Sequence, residues 1–376
     1  MFKLGKLKGR FEALFIKKPR TFFFFHSSSI GGAERVHLDL LTHIEVHNPT
    51  VVIAENRSER GWEENFKAVS MWYYDISESQ KNRRKFHFYL GYFSELINRS
   101  DTRLVLGSAS YFFYRLVPFL KVKNRVNLLH ALVEKHEKGF EHYTAEVFEH
   151  IDKTIVLNES IKNNFISFLH DHKIKTNPQS VAVVDNCVEF FYEDYRADKN
   201  NLNILFVGRE SEEKRVFILK DIIKKASTRI PNLTFTLVGS DFESIKNEEL
   251  NNVNILGKIY DKKRLNEIYK QTDILIITSR REGFPLVIQE AMATSNVPLS
   301  TNVGGIPHHI KNNENGILIS SDQSDQEIIE SFLSELEELS KNQNKLSELK
   351  KTAYQYAKMH FSVEKFKESY KRVLEL

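Results

Sequence analysis

Within Asp273–Ile310, two glutamates, Glu282 and Glu290, bracket the run Gly283-Phe284-Pro285-Leu286. Carboxylates accept hydrogen bonds from sugar hydroxyls, so a pair of them can hold a diol. The apolar run Ile274–Thr278 before Glu282 reads as a buried strand. Pro285 suits the first helical position, where its fixed φ fits and its missing N–H has no intrahelical partner. Glu290 then falls about 7.5 Å further along the helix axis. One carboxylate would therefore sit in the loop at a strand's carboxyl end and the other near the start of the next helix. Open α/β sheets bind ligands beyond those strand ends. The unbonded amides around Phe284, Leu286 and Val287 offer a place for an anion. Phosphate at the helix end and a diol on two glutamates would suit a nucleotide sugar. Taken singly, either glutamate reads equally well as a solvated loop residue or as a favourable charge at a helix start.

Three further groups of residues point the same way. In Asn203–Lys214 a strand runs into Gly208, followed by Arg209 and, five residues later, Lys214. Two fixed cations beside a glycine turn can neutralise a diphosphate, though solvated charges in a strand–helix loop have the same pattern. In Phe22–Arg35 a strand gives way to three serines and then Gly31-Gly32, where the backbone can approach a ligand closely. No G-x-G-x-x-G fingerprint or Walker A lysine occurs. His130 follows the apolar run Arg125–Leu129 and could hydrogen-bond a sugar hydroxyl or a developing charge.

The elements that must position these residues follow from apolar runs separated by amphipathic stretches. Seven strand-like runs precede residue 186 and six follow it, with helical stretches such as 33–44, 85–98 and 138–150 between them. Continuous apolar strands spaced by helices predict parallel sheets covered on both faces. A length of 376 residues suits two domains, and residues 186–201, with no clear period, read as the linker. Near the carboxyl terminus Ile328, Ile329, Phe332, Leu333, Leu336 and Leu339 recur at helical spacing. A last helix is expected from Ser362 as N-cap, with Phe361 and Phe366 as a hydrophobic staple.

Composition narrows the class. The single cysteine, Cys187, excludes a disulfide framework and a cysteine zinc cluster, and fits a reducing cytosol. No apolar run reaches the length of a membrane span, and lysines and arginines interrupt any signal-peptide core at the start. The net charge of +4 is not spread evenly. Residues 1–20 hold seven Lys and Arg against Glu12 alone, and beyond them the charges nearly balance. The phenylalanines are also uneven, with 18 of 28 before residue 186.

EGFPLVIQE (Glu282–Glu290) resembles the E-x7-E motif of retaining GT-B glycosyltransferases, in particular family 4. VGRESEEK, SSIGGAER, STNVGGIP (Ser300–Pro307) and the ending FSVEKFKESYKRV are similar to that family's segments too. The resemblance implies an α/β GT-B fold of two Rossmann-like domains facing across a cleft. After a basic segment (1–20), an acceptor domain would span 21–185 and a nucleotide-sugar donor domain 186–360, with the helix 361–376 packing back on the first. It further implies that Arg209 and Lys214 hold the donor diphosphate, Glu290 the ribose hydroxyls and Glu282 the donor sugar near the reacting centre. Gly208 lies beside these cations. Backbone groups of Gly283, Phe284, Pro285 and Leu286 would contact sugar and phosphate, with Gly31 and Gly32 closing over them. His130 corresponds to the family's amino-domain histidine by strand position. Where the family often carries Glu after Gly-Gly-x-Pro, this chain has His308 and His309, to which no role is assigned.

The expected activity is retaining hexosyl transfer from a nucleoside-diphosphate sugar, UDP-sugar foremost, to a hydroxyl of a glycan or lipid-linked acceptor, in surface polysaccharide biosynthesis. No Asp-x-Asp stands at a strand end, so no metal cofactor is expected. The alternatives are a sugar-nucleotide epimerase of the same fold and a non-catalytic partner subunit. Nucleic acid is not an expected partner, because the charges balance beyond residue 20 and no recognition motif occurs. Cytoplasmic location is expected. The basic, Phe- and Leu-containing start has two readings: a segment lying on an anionic membrane at the inner face of the cell membrane, or a solvated tail.

Overall fold

The computed structural model describes residues 1–16, 20–55, 61–132, 139–195, 201–246, 250 and 252–375. Lys17, Lys18, the first residue of the 138–150 helical stretch and residues 196–200 of the expected linker lie outside them. The chain divides into two compact units, Met1–Asn186 with Phe366–Leu376, and Cys187–Lys365.

The first unit is built on a seven-stranded parallel sheet. Its strands are β1 (Arg20–Phe25), β2 (Pro49–Ile53), β3 (Trp72–Asp75), β4 (Thr102–Ser108), β5 (Arg125–Leu129), β6 (Lys153–Val156) and β7 (Val181–Val183), in the order β3-β2-β1-β4-β5-β6-β7. The phenylalanine run of β1 lies at its heart and is buried throughout, because side chains alternate between two covered faces. Phe24 meets Phe93 edge-on and stacks on Phe112 on one face, while Phe25 lies against His37 and Phe66 on the other. Burial of each such ring stabilises the fold by about 1.5–3 kcal/mol, which accounts for the concentration of phenylalanine in this half. The helix Gly32–His43 carries His37 and the helix Arg83–Arg99 carries Phe93. The last helix, Val363–Leu374, joins this unit through Phe366, which packs on Tyr370 and His43, and through carbonyls that accept from Asn124 and Lys153.

The basic start is not a solvated tail. Phe2–Ala13 is a helix, and Gly5 and Gly9 bring it so close to Arg83–Arg99 that a Cβ at Gly5 would lie 1.9 Å from the Phe88 carbonyl oxygen. Arg20, one of the seven amino-terminal cations, is buried in β1 with its guanidinium 3.4 Å from the Trp72 ring centre.

The second unit carries a six-stranded parallel sheet of β8 (Leu202–Val207), β9 (Leu233–Val238), β10 (Val253–Ile255), β11 (Ile274–Ile277), β12 (Val297–Thr301) and β13 (Ile317–Ile319), in the order β10-β9-β8-β11-β12-β13. One face is covered by Val216–Arg229 and Asp325–Lys341, whose Ile328, Ile329, Phe332, Leu333, Leu336 and Leu339 are all buried. Ser324 and Glu327 form a capping box at the start of the latter helix. Phe361 packs on Phe284 and His309 of this unit, whereas Phe366 belongs to the first, so the expected Phe361–Phe366 staple does not form. Ser362 does accept the Lys365 amide at 3.3 Å, as an N-cap should.

Candidate active site at two topological switch points

In each sheet the strand order reverses once, between β1 and β4 in the first unit and between β8 and β11 in the second. Loops leaving the carboxyl ends of such a strand pair diverge to opposite faces and leave a crevice between them. The chemistry-bearing residues collect at those two places.

In the second unit the loop after β8 is stitched to the loop after β11. Arg215, with φ of 46°, is buried and donates to the carbonyls of Thr278 (2.7 Å) and Ser279 (3.2 Å), while the Thr278 hydroxyl donates to the Lys214 carbonyl at 2.8 Å. The Arg280 amide donates to Glu213 at 2.8 Å. These bonds bring the Lys214 ammonium onto Oε1 of Glu282 in a direct ion pair, and Ser279 Oγ donates to the same oxygen at 2.6 Å. Glu282 is 11% exposed, so the pair lies in a sheltered but open position. Arg209 is exposed just beyond Gly208, and Arg280 and Arg281 are exposed on the facing loop. Gly208 is held by a hydrogen bond to Val238, and a Cβ at Gly239, whose φ is +119°, would lie 2.3 Å from the Gly208 carbonyl oxygen. Glycine is required where two strand ends approach so closely.

The turn carrying Glu282 is also clamped from the other side. Gly304 has φ of +56°, and a Cβ there would lie 1.7 Å from the Glu282 carbonyl oxygen. The next amide, Gly305, donates to the Gly283 carbonyl at 2.7 Å, and Thr301 Oγ1 donates to Ser279 at 2.6 Å. The Gly-Gly-Ile-Pro segment thus serves as the bed of the E-x7-E turn. Pro285, expected as the first helical residue, is instead the N-cap, because its ψ of 137° is extended; the helix is Leu286–Ala293. Its first internal bond is donated by Ile288, so the amides of Leu286 and Val287 face outward from the helix start. Phe284 is core: its ring centre lies 4.2 Å from that of buried His309, the two rings tilted at 30°, which explains one of the two histidines and leaves only the Phe284 backbone for a ligand. Glu290 accepts from the Tyr269 hydroxyl at 3.0 Å. Burial and the nearby carboxylate push the Tyr269 phenol well above its ordinary value, so it stays a donor.

In the first unit β1, β4 and β5 end side by side. Ser108 closes β4, His130 follows β5, and His37 reaches them from the Gly32–His43 helix. His37 Nε2 lies 2.8 Å from Ser108 Oγ and 3.0 Å from His130 Nε2, and Ser108 Oγ lies 3.0 Å from His130 Nε2. Ser108 is also 3.0 Å from the Leu128 carbonyl, which can only accept, so the hydroxyl proton is assigned there and Oγ receives the His37 N–H. His130 Nε2 is then an acceptor and its proton rests on Nδ1. Burial pulls His130 down to about 4, and burial with the neighbouring His130 and His26 pulls His37 well below its ordinary value. Both rings are therefore neutral at physiological pH, and His130 can offer a hydrogen bond but not a cation. Beside them His26 pairs with Glu55, whose other oxygen accepts the Tyr111 amide at 2.7 Å. Gly31 is the extended N-cap of the helix, Gly32 is exposed, and Glu34 turns back over them to accept from Ser27 at 2.6 Å.

Arg209, Lys214, Gly208, Gly283–Leu286, Glu282 and Glu290 thus all lie in the second unit, and Gly31, Gly32 and His130 in the first. Arg215, Tyr269, His37 and Ser108 were not foreseen. The available signals were a second cation beside Lys214 and an unusual density of histidine before residue 186.

Residues 189–356 match the family model of glycosyl transferases group 1. The GtfA subunit of the UDP-N-acetylglucosamine–peptide N-acetylglucosaminyltransferase of Streptococcus pneumoniae is 27% identical over 227 residues, covering 58% of this chain and 44% of that protein. An uncharacterized glycosyltransferase of Haemophilus influenzae is 24% identical over 333 residues, covering 80% and 86% of the two chains. The crystal structure of Anabaena HepE in complex with UDP superimposes with a TM-score of 0.72 over 95% of this chain and 99% of that one, at 16% identity. The chain aligns with between 30% and 44% of the length of the first curated relatives. Fold and matched segment together define the class: a protein of the two-domain GT-B fold. More particularly, its second unit is the part that matches the glycosyl transferases group 1 model.

Proposed function

We propose that this chain is a retaining, metal-independent glycosyltransferase that moves a hexose-type sugar from a UDP-sugar to a hydroxyl of a glycan or lipid-linked acceptor in surface polysaccharide assembly. The observation that carries this reading is the Lys214–Glu282 pair at the β8/β11 switch point, bedded on Gly304 and flanked by Arg209 and the Leu286 helix start. A cation and a carboxylate held together without ligand are each set to exchange partners: Lys214 to a phosphate oxygen, Glu282 to a sugar hydroxyl. Relatives whose names specify UDP-N-acetylglucosamine, and a fold neighbour holding UDP, support a uridine donor.

In this reading the acceptor oxygen bonds to the sugar C1 on the face from which the C1–oxygen bond to the diphosphate breaks. The acceptor's proton passes to the departing diphosphate oxygen. Arg209, Lys214 and the amides of Leu286 and Val287 stabilise the charge growing on that diphosphate, so cationic side chains fill the role a metal would otherwise take. Glu290, oriented by Tyr269, accepts from the ribose hydroxyls. The test is transfer from UDP-[14C]glucose and UDP-N-acetyl[14C]glucosamine to lipid-extracted and glycan acceptors, with and without EDTA. Transfer that persists in EDTA with an α-linked product supports the reading. Release or epimerisation of the sugar without acceptor would assign the epimerase alternative, and absence of UDP binding would assign the non-catalytic one.

A further inference from the structure

The helix Phe2–Ala13 is amphipathic in an unusual sense. Its inward face is made of Gly5, Gly9 and Ala13, at i, i+4 and i+8, and these are its only buried residues. That stripe lets the helix settle into Arg83–Arg99, where a Cβ at Gly91 would in turn lie 2.1 Å from the Phe2 carbonyl oxygen. Apart from Phe2, which packs on Phe119 and the core, its large apolar residues point the other way. Leu4, Leu7 and Phe11, at helical spacing, continue into Leu14 and Phe15, and these five are 54–76% exposed. With Met1 they make six of the 13 exposed large hydrophobics found among the described residues. The Phe11 and Phe15 rings touch edge-on, so the patch is continuous across a turn.

The flanks of this apolar ridge are basic. Lys3, Lys8 and Arg10 are exposed, and Lys6 is half-buried. Lys6 and Arg10 straddle Glu95 on the Arg83–Arg99 helix, at 3.6 and 2.9 Å. Glu12, the single acid of the helix, lies within 3.4 Å of the Tyr74 hydroxyl on the protein side. An apolar strip between rows of cations is the chemistry of an interfacial helix lying on an anionic lipid surface. A free amphipathic helix needs a polar back, but here the glycine face needs none because it rests on the protein.

We propose that the outer face of Phe2–Ala13, extended by Leu14 and Phe15, is a docking surface for an anionic membrane, held in a fixed attitude by the glycine contacts with Arg83–Arg99. This stands independently of the glycosyl-transfer reading, since none of these residues belongs to the candidate active site. The test is co-sedimentation of the full chain with vesicles of phosphatidylglycerol and phosphatidylcholine, and of phosphatidylcholine alone. Binding is expected only with phosphatidylglycerol and should weaken as salt rises. Leu7→Ser/Phe11→Ser/Phe15→Ser should lower partitioning at least about tenfold, and Lys3→Gln and Lys8→Gln about fivefold each. Melting temperature and UDP binding should not change, which separates this effect from misfolding. Equal partitioning of the triple variant, or no binding of the parent chain, would overturn the proposal. So would a parent dimer that the triple variant makes monomeric, because a second copy would then be what covers the ridge.

Discussion

Nε2 of His37 and Nε2 of His130 face each other at 3.0 Å, so one ring must donate to the other and the accepting ring cannot take a proton on Nε2 without losing that contact. Burial holds His130 near 4 against an ordinary 6.5, with His37 displaced in the same direction. Above about pH 6.5 both folded and unfolded forms carry neutral rings, and the full stability is present. Between pH 6.5 and 4 the unfolded chain binds protons that the folded chain refuses, so stability falls with pH by about 2–3 kcal/mol for His130. Melting curves from pH 7.5 to 4.5 should show this decline, and His130→Asn should flatten it.

Glu282→Gln keeps the shape of the side chain but removes the charge that holds Lys214. Transfer should fall about a hundredfold or more, while the released ammonium keeps or tightens UDP affinity. Calorimetric titration with UDP beside a turnover assay separates the two effects, and a large loss of UDP affinity would argue against the exchange of partners.

A methyl at residue 304 meets both a positive φ and a carbonyl oxygen that cannot retreat. Gly304→Ala should cost about 1–3 kcal/mol and reduce turnover by displacing Glu282. Gly32, whose Cβ position is open, provides the contrast: Gly32→Ala should leave the melting temperature within a degree or two.

Lys350 and Asp273 form an ion pair at 2.9 Å with side chains 5% and 7% exposed, and Asp273 also accepts the Asn203 amide at 3.0 Å. Lys350→Ala leaves a buried carboxylate without its cation and should destabilise the fold by about 3–5 kcal/mol. Chemical denaturation measures it. Partial recovery in Lys350→Ala/Asp273→Asn, which removes both charges, would identify the unpaired charge as the cause.

All 13 strands among the described residues are legible as largely apolar runs, because most strands of a parallel sheet are covered on both faces. The Glu282–Glu290 spacing was equally plain, being fixed within one turn and one helix. Sequence spacing could not reveal that the Gly304-Gly305 turn lies under Glu282, or that Arg215 ties the two loops together. Those contacts join segments tens of residues apart, and only the parallel pairing of β8 with β11 and β11 with β12 brings them together.

The amino-terminal residues divide along the same line. Composition alone established a basic, Leu- and Phe-containing start, and left its fate between tail and surface helix. The tertiary structure decided that it is a helix and which side faces out. Glycines have no side chain with which to compete for burial, yet a neighbouring helix can approach them more closely than any other residue. That close approach turned Leu4, Leu7, Phe11, Leu14 and Phe15 away from the core, an outcome that hydrophobicity read along the chain would have reversed.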